Sequence, residues 1–245
     1  MIYLTGFHAI NERIKFCNSE GKKCGPLLVA KTIPRARGLI DLAIDCKVRI
    51  DRVGSFELDK LAPDNRGIAL LVDDGCDNNP DISIEKFILD LGNKKNVIVL
   101  IMDEITDPHN YGAIIRSCDQ FGVDLALSRS RRNAKHAAVI SKTSAGAVAW
   151  VPQAETANLV RALQSLKDAG FWIYGADMQG KPAFTLDMRG RVALVLGGEG
   201  TGISRLLREN CDALISIPSK GKIDSLNVSV AAGVLLYEIQ RQQNS

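Results

Sequence analysis

The sequence has few of the features that mark secreted, membrane or metal-binding proteins. Its six cysteines form no Cys-x-x-Cys pair and do not cluster with its three histidines, so the pattern predicts reduced thiols and no metal site. No apolar run is long enough to cross a bilayer. The N-terminus reaches Asn11-Glu-Arg13 before a signal-type apolar segment develops. We therefore expect a cytoplasmic protein without a membrane anchor.

The chain also lacks a strong overall charge. Its net charge is only +3, so any surface for nucleic acid must be a local patch. One stretch, from Asp124 to Glu155, contains no acidic residue between its ends but several cations, which suit phosphate oxygens whatever the base sequence. A solvated basic loop is the alternative. The predicted RNA-binding residues of this stretch are Arg129, Arg131, Arg132 and Lys135.

With 245 residues, of which 46% are hydrophobic, the chain can bury one large core or two modest ones. Apolar runs alternate with helical patterns over residues 1–74, which predicts a compact α/β domain. Residues 75–83 are rich in turn formers and poor in apolar side chains, as linkers are. Residues 84–245 then form a second α/β domain.

The second domain is organised around a strand, a polar turn and a helix. The apolar run Val97–Met102 predicts a buried strand, and Asp107-Pro108 favours a turn. Apolar positions at helical spacing follow, and they end at Gly122. This arrangement presents Asn110 at the carboxyl edge of a strand, where open α/β sheets bind their ligands.

A glycine-rich loop follows a second buried strand. The strand Arg191–Gly197 runs into Gly198-Glu-Gly-Thr-Gly202. A Walker loop requires a Gly-Lys-Ser/Thr ending that is missing, and the dinucleotide fingerprint requires glycine where Ile203 stands. A phosphate loop is therefore excluded, which argues against a nucleotide-dependent hydrolase or kinase. Glu199, an acid in a glycine turn at a strand end, is a candidate functional residue.

The last element is a helix predicted from Leu226 to about Gln243, after a strand ending at Pro218 and a polar turn. Its first half is apolar on nearly every side, so we expect it to be buried all round. In a domain of this size, such burial predicts packing against a second subunit.

Three motifs stand in order in the second half of the chain. They are Asp107-Pro-His-Asn-Tyr-Gly-Ala-Ile-Ile-Arg116, Leu194-Val-Leu-Gly-Gly-Glu-Gly-Thr-Gly-Ile-Ser204 and Ile217-Pro-Ser-Lys-Gly-Lys-Ile-Asp-Ser-Leu-Asn-Val-Ser-Val-Ala231. Together they resemble the SpoU (TrmH-like) family of SPOUT RNA ribose 2'-O-methyltransferases, over about residues 96–241. The N-terminal domain is similar to the ribosomal-protein-L30e-like substrate-binding domain of the branch that methylates a guanosine of large-subunit ribosomal RNA.

The resemblance implies a C-terminal parallel sheet with a deep trefoil knot, S-adenosylmethionine as cofactor, an RNA substrate and a homodimer. Its cofactor-binding positions match Leu196, Gly197, Gly198, Ile217 and Leu226. Its catalytic and substrate-positioning residues match Asn110, Arg116, Glu199, Ser225 and Asn227. The chain departs from the family at Ser219-Lys220, which bears on substrate contacts. A transfer-RNA substrate, and an RNA-binding relative without catalysis, are the alternatives.

The proton acceptor is the open question of mechanism. The family gives this role to the arginine that matches Arg116, but a guanidinium has a pKa above ~12 and normally only donates hydrogen bonds. We therefore expect Arg116 to stabilise the forming alkoxide and the adjacent phosphate by its charge. Glu199 or that phosphate would then accept the proton.

Overall fold

A computed structural model describes residues 2–30, 34–63, 65–72, 82–129, 137–222 and 225–245. The strands are β1 (Ile2–Leu4), β2 (Leu27–Val29), β3 (Ile50–Arg52), β4 (Ile68–Val72), β5 (Val97–Met102), β6 (Leu125–Arg129), β7 (Gln153–Thr156), β8 (Trp172–Pro182), β9 (Arg191–Leu196) and β10 (Ala213–Ser216). The helices are α1 (Phe7–Ser19), α2 (Pro34–Asp45), α3 (Ser55–Leu61), α4 (Ile84–Asp90), α5 (Pro108–Gln120), α6 (Ala137–Thr143), α7 (Leu159–Asp168), α8 (Arg205–Glu209) and α9 (Val228–Gln243). Short 3-10 helices cover Ala147–Ala149 and Ala183–Thr185.

One compact unit comprises Met1–Asn78 with Arg132–Trp150. Its four-stranded sheet has the order β1-β4-β2-β3 and is mixed, because β4 runs antiparallel to both of its neighbours while β2 and β3 are parallel. Apolar residues of α1 and α2, such as Ile10, Ile14 and Leu39, pack with one set of strand residues. Leu58 of α3, and Ala62 directly after this helix, pack with another set. The α/β character predicted for this region is confirmed.

The segment after β6 adds to this first unit, which the sequence had not indicated. The indole Nε1 of Trp150 donates to Glu12 Oε2 at 3.1 Å, and its ring meets Phe16 edge to face at 5.4 Å. Gly146 comes so close to α1 that a Cβ there would lie 2.7 Å from Glu12 Cβ. Residues 137–150 had been assigned to the second domain by their place in the chain. A fragment beginning near Ile84 would leave them without these partners.

The second unit comprises Asn79–Arg131 with Val151–Ser245. Its six strands are all parallel in the order β10-β8-β9-β5-β6-β7. All six residues of β5 are buried, as strands covered on both faces require. The predicted parallel α/β domain is therefore confirmed, and the knot and the L30e-like assignment stay predictions. Residues 75–81 of the predicted linker lie outside the described residues.

Helix α9 differs from its prediction. Its buried residues recur at helical spacing on one face, and they are Ala232, Leu235, Leu236 and Ile239. Val230, Val234 and Tyr237 are exposed by 50%, 43% and 55%. The expectation of burial on all sides is wrong for the single chain, because the rest of the unit covers only one face of this helix. The other face carries unpaired apolar surface.

Candidate functional site

The turn after β5 fixes the start of helix α5. The carboxylate of Asp107 accepts a hydrogen bond from the His109 main-chain N–H at 3.0 Å, and Pro108 occupies the first turn. Both features favour a helix beginning at this point. Asn110 therefore lies in the first turn, and only 8% of it is exposed. Its side chain is held at the carboxyl edge of the sheet.

The glycine-rich loop after β9 folds back on itself as a tight turn. The N–H of Gly202 donates to the carbonyl of Gly198 at 3.0 Å. Gly200 and Gly202 have φ angles of 79° and 66°, in the left-handed region that glycine adopts without steric cost. The closed turn presents the exposed side chain of Glu199 at the same edge of the sheet.

Asn227 is fixed by its role as the N-cap of α9. Its Oδ1 accepts hydrogen bonds from the Ser229 main-chain N–H at 2.9 Å and from the Ser229 hydroxyl at 2.6 Å. A capping side chain of this kind satisfies a donor that the helix leaves unpaired. Since Oδ1 is engaged by the helix, the amide group Nδ2 is the part of Asn227 that remains to donate.

The three side chains join in one hydrogen-bond network. Asn110 Nδ2 donates to Glu199 Oε1 at 2.7 Å, and Asn227 Nδ2 donates to the same oxygen at 2.8 Å. Asn227 Nδ2 also lies 3.0 Å from Asn110 Oδ1. Both amides thus hold one oxygen of the carboxylate, and among the described residues nothing bonds the other. An oriented carboxylate with one uncommitted oxygen can accept a proton from a hydroxyl group.

The backbone of the glycine loop is packed against main chain, not against flexible side chains. A Cβ on Gly197 would lie 1.9 Å from the carbonyl carbon of Gly202 and 2.1 Å from the nitrogen of Ile203. A Cβ on Gly198 would lie 2.8 Å from the carbonyl oxygen of Glu104. Both glycines are required by the protein's own close packing.

The surroundings of the loop fit a cofactor held by main-chain groups. Gly200 leaves open space where a Cβ would stand, and Leu226 is 50% exposed, so it offers apolar surface next to Asn227. Ile217, just beyond β10, is half-buried. Leu196 has a different, structural role, because it is only 1% exposed and its carbonyl accepts a hydrogen bond from the Asp103 N–H at 2.8 Å. It supports the loop from within the sheet.

Two of the predicted catalytic residues lie outside the hydrogen-bond network. Arg116 is exposed and lines a groove between α5 and α9 with Ser229 and Val230. Its neighbour in that groove, Ser229, is the residue bonded to the Asn227 cap. Ser225 is exposed and stands two positions before Asn227. The structure thus brings Asn110, Glu199 and Asn227 together and leaves Arg116 beside them.

Arg129 lies among acids at the end of β6. Its guanidinium is 3.5 Å from Asp103 Oδ1 and 3.6 Å from Glu104 Oε1, and 34% of the side chain is exposed. The other predicted RNA-binding residues lie outside the described residues, and they are Arg131, Arg132 and Lys135.

Two further residues shape this site and were not among those predicted from the sequence. Asp103 is fully buried, and the signal was an acid placed directly behind a six-residue apolar strand. Ser229 completes the cap of α9, and the signal was an asparagine two residues ahead of it at a helix start. Both signals are local and were available from the chain alone.

Within the described residues, no group of three or more histidine, cysteine or acidic side chains could hold a metal ion. In the same part of the chain, no helix combines the length and the hydropathy that a membrane crossing demands.

Fold and site together define an α/β enzyme whose acid and two amides meet at the carboxyl ends of parallel strands. The model of the SpoU rRNA Methylase family matches residues 97–237. A protein of Borreliella burgdorferi described as an uncharacterized tRNA/rRNA methyltransferase is 39% identical over 87% of this chain and 96% of its own length. A 23S rRNA (guanosine-2'-O-)-methyltransferase RlmB of Neisseria meningitidis is 34% identical over 98% of this chain and 95% of its own.

A solved structure shares the fold. The SpoU methyltransferase AviRb from Streptomyces viridochromogenes, crystallised with its cofactor AdoMet, has a TM-score of 0.76 and 22% identity, and covers 98% of this chain and 90% of its own. The chain belongs to the SpoU rRNA methylase family. It is an S-adenosylmethionine-dependent RNA 2'-O-methyltransferase of that family.

Proposed function

We propose that this enzyme methylates the ribose 2'-hydroxyl of a guanosine in large-subunit ribosomal RNA. The likeness that supports this target is the Neisseria protein named for that reaction, which aligns with the chain over nearly the full length of both. The Borreliella relative, whose name covers transfer RNA as well, keeps transfer RNA as the second candidate. The single observation that carries the chemistry is the network of Asn110, Glu199 and Asn227.

The test is methyl transfer from labelled S-adenosylmethionine to three unmodified RNAs, namely large-subunit rRNA, small-subunit rRNA and total transfer RNA. We expect label in the first alone, and nuclease digestion with mass spectrometry should recover it as 2'-O-methylguanosine. Label confined to transfer RNA would replace the proposed target, and label in a base would contradict ribose methylation.

The proposed mechanism assigns the proton to Glu199. S-adenosylmethionine, when bound, would supply the methyl group, and cleavage of its sulfur–methyl bond would leave S-adenosylhomocysteine, a neutral thioether. Asn110 and Asn227 hold Glu199 Oε1 at 2.7 and 2.8 Å, which leaves Oε2 to take the proton of the 2'-hydroxyl as the O–C bond forms. A carboxylate held in one orientation loses little entropy when the reactants align.

Arg116 is proposed to act by charge on the forming alkoxide. Arg116→Lys should then keep measurable activity, since an ammonium still stabilises an oxyanion although it lacks the planar fork. Arg116→Ala should lose more, about a hundredfold to a thousandfold in single-turnover rate, as the loss of one preorganised donor commonly does. Rapid-quench measurement of methyl transfer at saturating RNA gives these rates.

Arg161→Ala is the matched control, because Arg161 is an exposed arginine on α7. It should leave the rate unchanged. If Arg116 were the proton acceptor, a lysine with its ordinary pKa of about 10.4 would take the proton more readily, and the pH-rate profile of Arg116→Lys would move to lower pH. That shift would refute the electrostatic role.

We propose that residues 1–74 help to select the RNA and that cations of the stretch between Asp124 and Glu155 contact its phosphates. The support for the second part is the absence of any acidic residue between Asp124 and Glu155, where Arg131, Arg132 and Lys135 stand. Such contacts raise affinity for any RNA and leave the choice of nucleotide to surface shape.

The enzyme is also proposed to work as a homodimer that pairs the exposed face of α9. The groove between α5 and α9 contains Val230, Gly233 and Val234, and the exposed Tyr237 meets Phe121 edge to face at 6.1 Å. Exposed apolar side chains that recur along one helix face are typical of a surface that a second subunit covers. Arg116 lines the same groove, so dimerisation would bring it to the interface.

The double substitution Val230→Asp/Val234→Asp should therefore produce a monomer. Burying unpaired carboxylates in an apolar interface is strongly unfavourable. Sedimentation velocity at micromolar concentration should show two 26.6 kDa chains for the wild type and one for the variant. Leu89→Asp, which changes an apolar side chain 81% exposed on α4, is the control and should remain dimeric. A monomeric wild type would overturn the proposal.

A further inference from the structure

Asp103 joins the end of β5 to both ends of the glycine loop. Its main-chain N–H donates to the carbonyl of Leu196, just before the loop, at 2.8 Å. Its carboxylate Oδ2 accepts the main-chain N–H of Ser204, just after the loop, at 2.9 Å. Asp103 is fully buried, so water cannot easily replace either hydrogen bond, and breaking one of them would cost free energy. Asp103 thus bonds to the main chain on both sides of Glu199.

The residue next to Asp103 supports the middle of the same loop. Glu104 has a φ of 57°, a left-handed conformation that costs free energy in a side chain other than glycine. In this conformation its carbonyl oxygen lies against Gly198, 2.8 Å from the position of a Cβ there. The turn formed by Asp103 and Glu104 therefore contacts the loop at three places.

The second oxygen of the buried carboxylate faces Arg129. Among the described residues, Asp103 Oδ1 and Arg129 Nε have no hydrogen-bond partner although both atoms are buried, and Arg129 Nη2 lies 3.5 Å from Oδ1. A buried charge without a partner is costly, and the guanidinium is the opposite charge next to this carboxylate. The guanidinium of Arg129 therefore pairs with the turn that supports the glycine loop.

We propose that Asp103 is a positioning residue for methyl transfer, which holds the loop that presents Glu199, and that Arg129 is its counter-ion and not a contact to RNA. This inference rests on the proposed role of Glu199. Asp103 itself touches no reacting atom. Its contribution is to fix the distance between the carboxylate of Glu199 and the hydroxyl that it deprotonates.

The first test is Asp103→Ala against a matched control. Asp212 has the same pattern at the amino-terminal side of the sheet, because its Oδ2 accepts the Ile173 N–H at 2.8 Å and its Oδ1 pairs with Lys167 at 2.8 Å. We expect Asp103→Ala to lower kcat about a hundredfold, the loss that misplacement by about 1 Å causes, with little change in KM for RNA. Asp212→Ala should leave kcat unchanged, and the melting temperature of each variant reports the stability that it loses.

A second readout does not depend on activity. Hydrogen exchange of the Ser204 amide, measured on the free protein, should accelerate in Asp103→Ala and remain protected in Asp212→Ala. Asp103→Asn keeps one oxygen for this N–H and should restore much of the protection and of kcat. Unchanged exchange at Ser204, or equal loss of kcat in Asp103→Ala and Asp212→Ala, would overturn the positioning role.

Arg129 is tested by Arg129→Gln and by the double variant Asp103→Asn/Arg129→Gln. If Arg129 is a counter-ion, Arg129→Gln should lower kcat. The fold-loss of kcat in the double variant should then be about tenfold smaller than the product of the fold-losses in the two single variants. As an RNA contact, its loss would instead raise KM and lower the salt dependence of binding by about one unit of log slope. That second pattern would overturn the assignment. If no wild-type methyl transfer occurred on any RNA, the proposed function would fail, while Ser204 exchange would still report on Asp103.

Discussion

Glu199→Gln should lower the single-turnover rate of methyl transfer about a hundredfold to ten-thousandfold, the usual contribution of a positioned general base. Glutamine is nearly the same size and its carbonyl oxygen can still accept from Asn110 and Asn227, so the network should persist. What it lacks is the capacity to accept the proton of the hydroxyl. The affinity for S-adenosylmethionine should change little, because main-chain groups are proposed to hold that ligand.

The measurement is rapid-quench methyl transfer at saturating RNA, paired with calorimetry of S-adenosylmethionine binding. Glu209→Gln is the matched control, since Glu209 is an exposed acid on α8 that pairs with Arg205 four residues away. It should be indistinguishable from wild type. Near-normal turnover in Glu199→Gln would mean that the proton goes elsewhere, to the RNA phosphate or to Arg116, and would end the proposed role of Glu199.

Gly197→Val should abolish S-adenosylmethionine binding by displacing the loop. The valine Cβ would lie 1.9 Å from the Gly202 carbonyl carbon and 2.1 Å from the Ile203 nitrogen, and neither main-chain atom can move as a side chain does. Overpacking commonly costs 1–3 kcal/mol, and a clash with backbone should reach about 3 kcal/mol of unfolding free energy or more. The clash is with the main chain of the protein itself and does not require a bound ligand.

Calorimetry should therefore detect no binding to Gly197→Val, and urea unfolding should report the lost stability. The control is Gly190→Ala, at a glycine with a φ of 82° and open space around its Cβ position. It carries the backbone strain of a left-handed alanine, about 1 kcal/mol, without a clash. It should bind S-adenosylmethionine normally. Tight binding by Gly197→Val would show that the loop opens to accept the side chain.

Much of the local structure could be predicted because its causes are local. The apolar run Val97–Met102 is strand β5, with every residue buried, and the Asp107-Pro108 pair caps helix α5. Hydrophobic periodicity and capping depend on neighbours within a few positions, so the local sequence is enough to specify them. The three motifs likewise named Asn110 in the first turn of α5, Glu199 in the loop after β9 and Asn227 at the N-cap of α9.

Other features depend on residues that are far apart in the chain. The apolar character of α9 was predicted from the sequence, but which of its sides is buried depends on the elements that cover it. Residues 137–150 pack with α1 because Trp150 meets Phe16 and Glu12, more than 130 positions earlier in the sequence. No periodicity within either segment specifies that pairing.

The sequence by itself determined the elements, the family motifs and the types of side chain at the site. Only the tertiary structure decided that Asn110 and Asn227 hold the same oxygen of Glu199. It also decided that Asp103 bonds to both ends of the glycine-rich loop that carries Glu199. The reason is the strand order β10-β8-β9-β5, which places strands distant in sequence near one another in the sheet. The hydrogen bonds of 2.7 to 2.9 Å join the segments that follow these strands, so they depend on that packing and no local pattern of the chain specifies them.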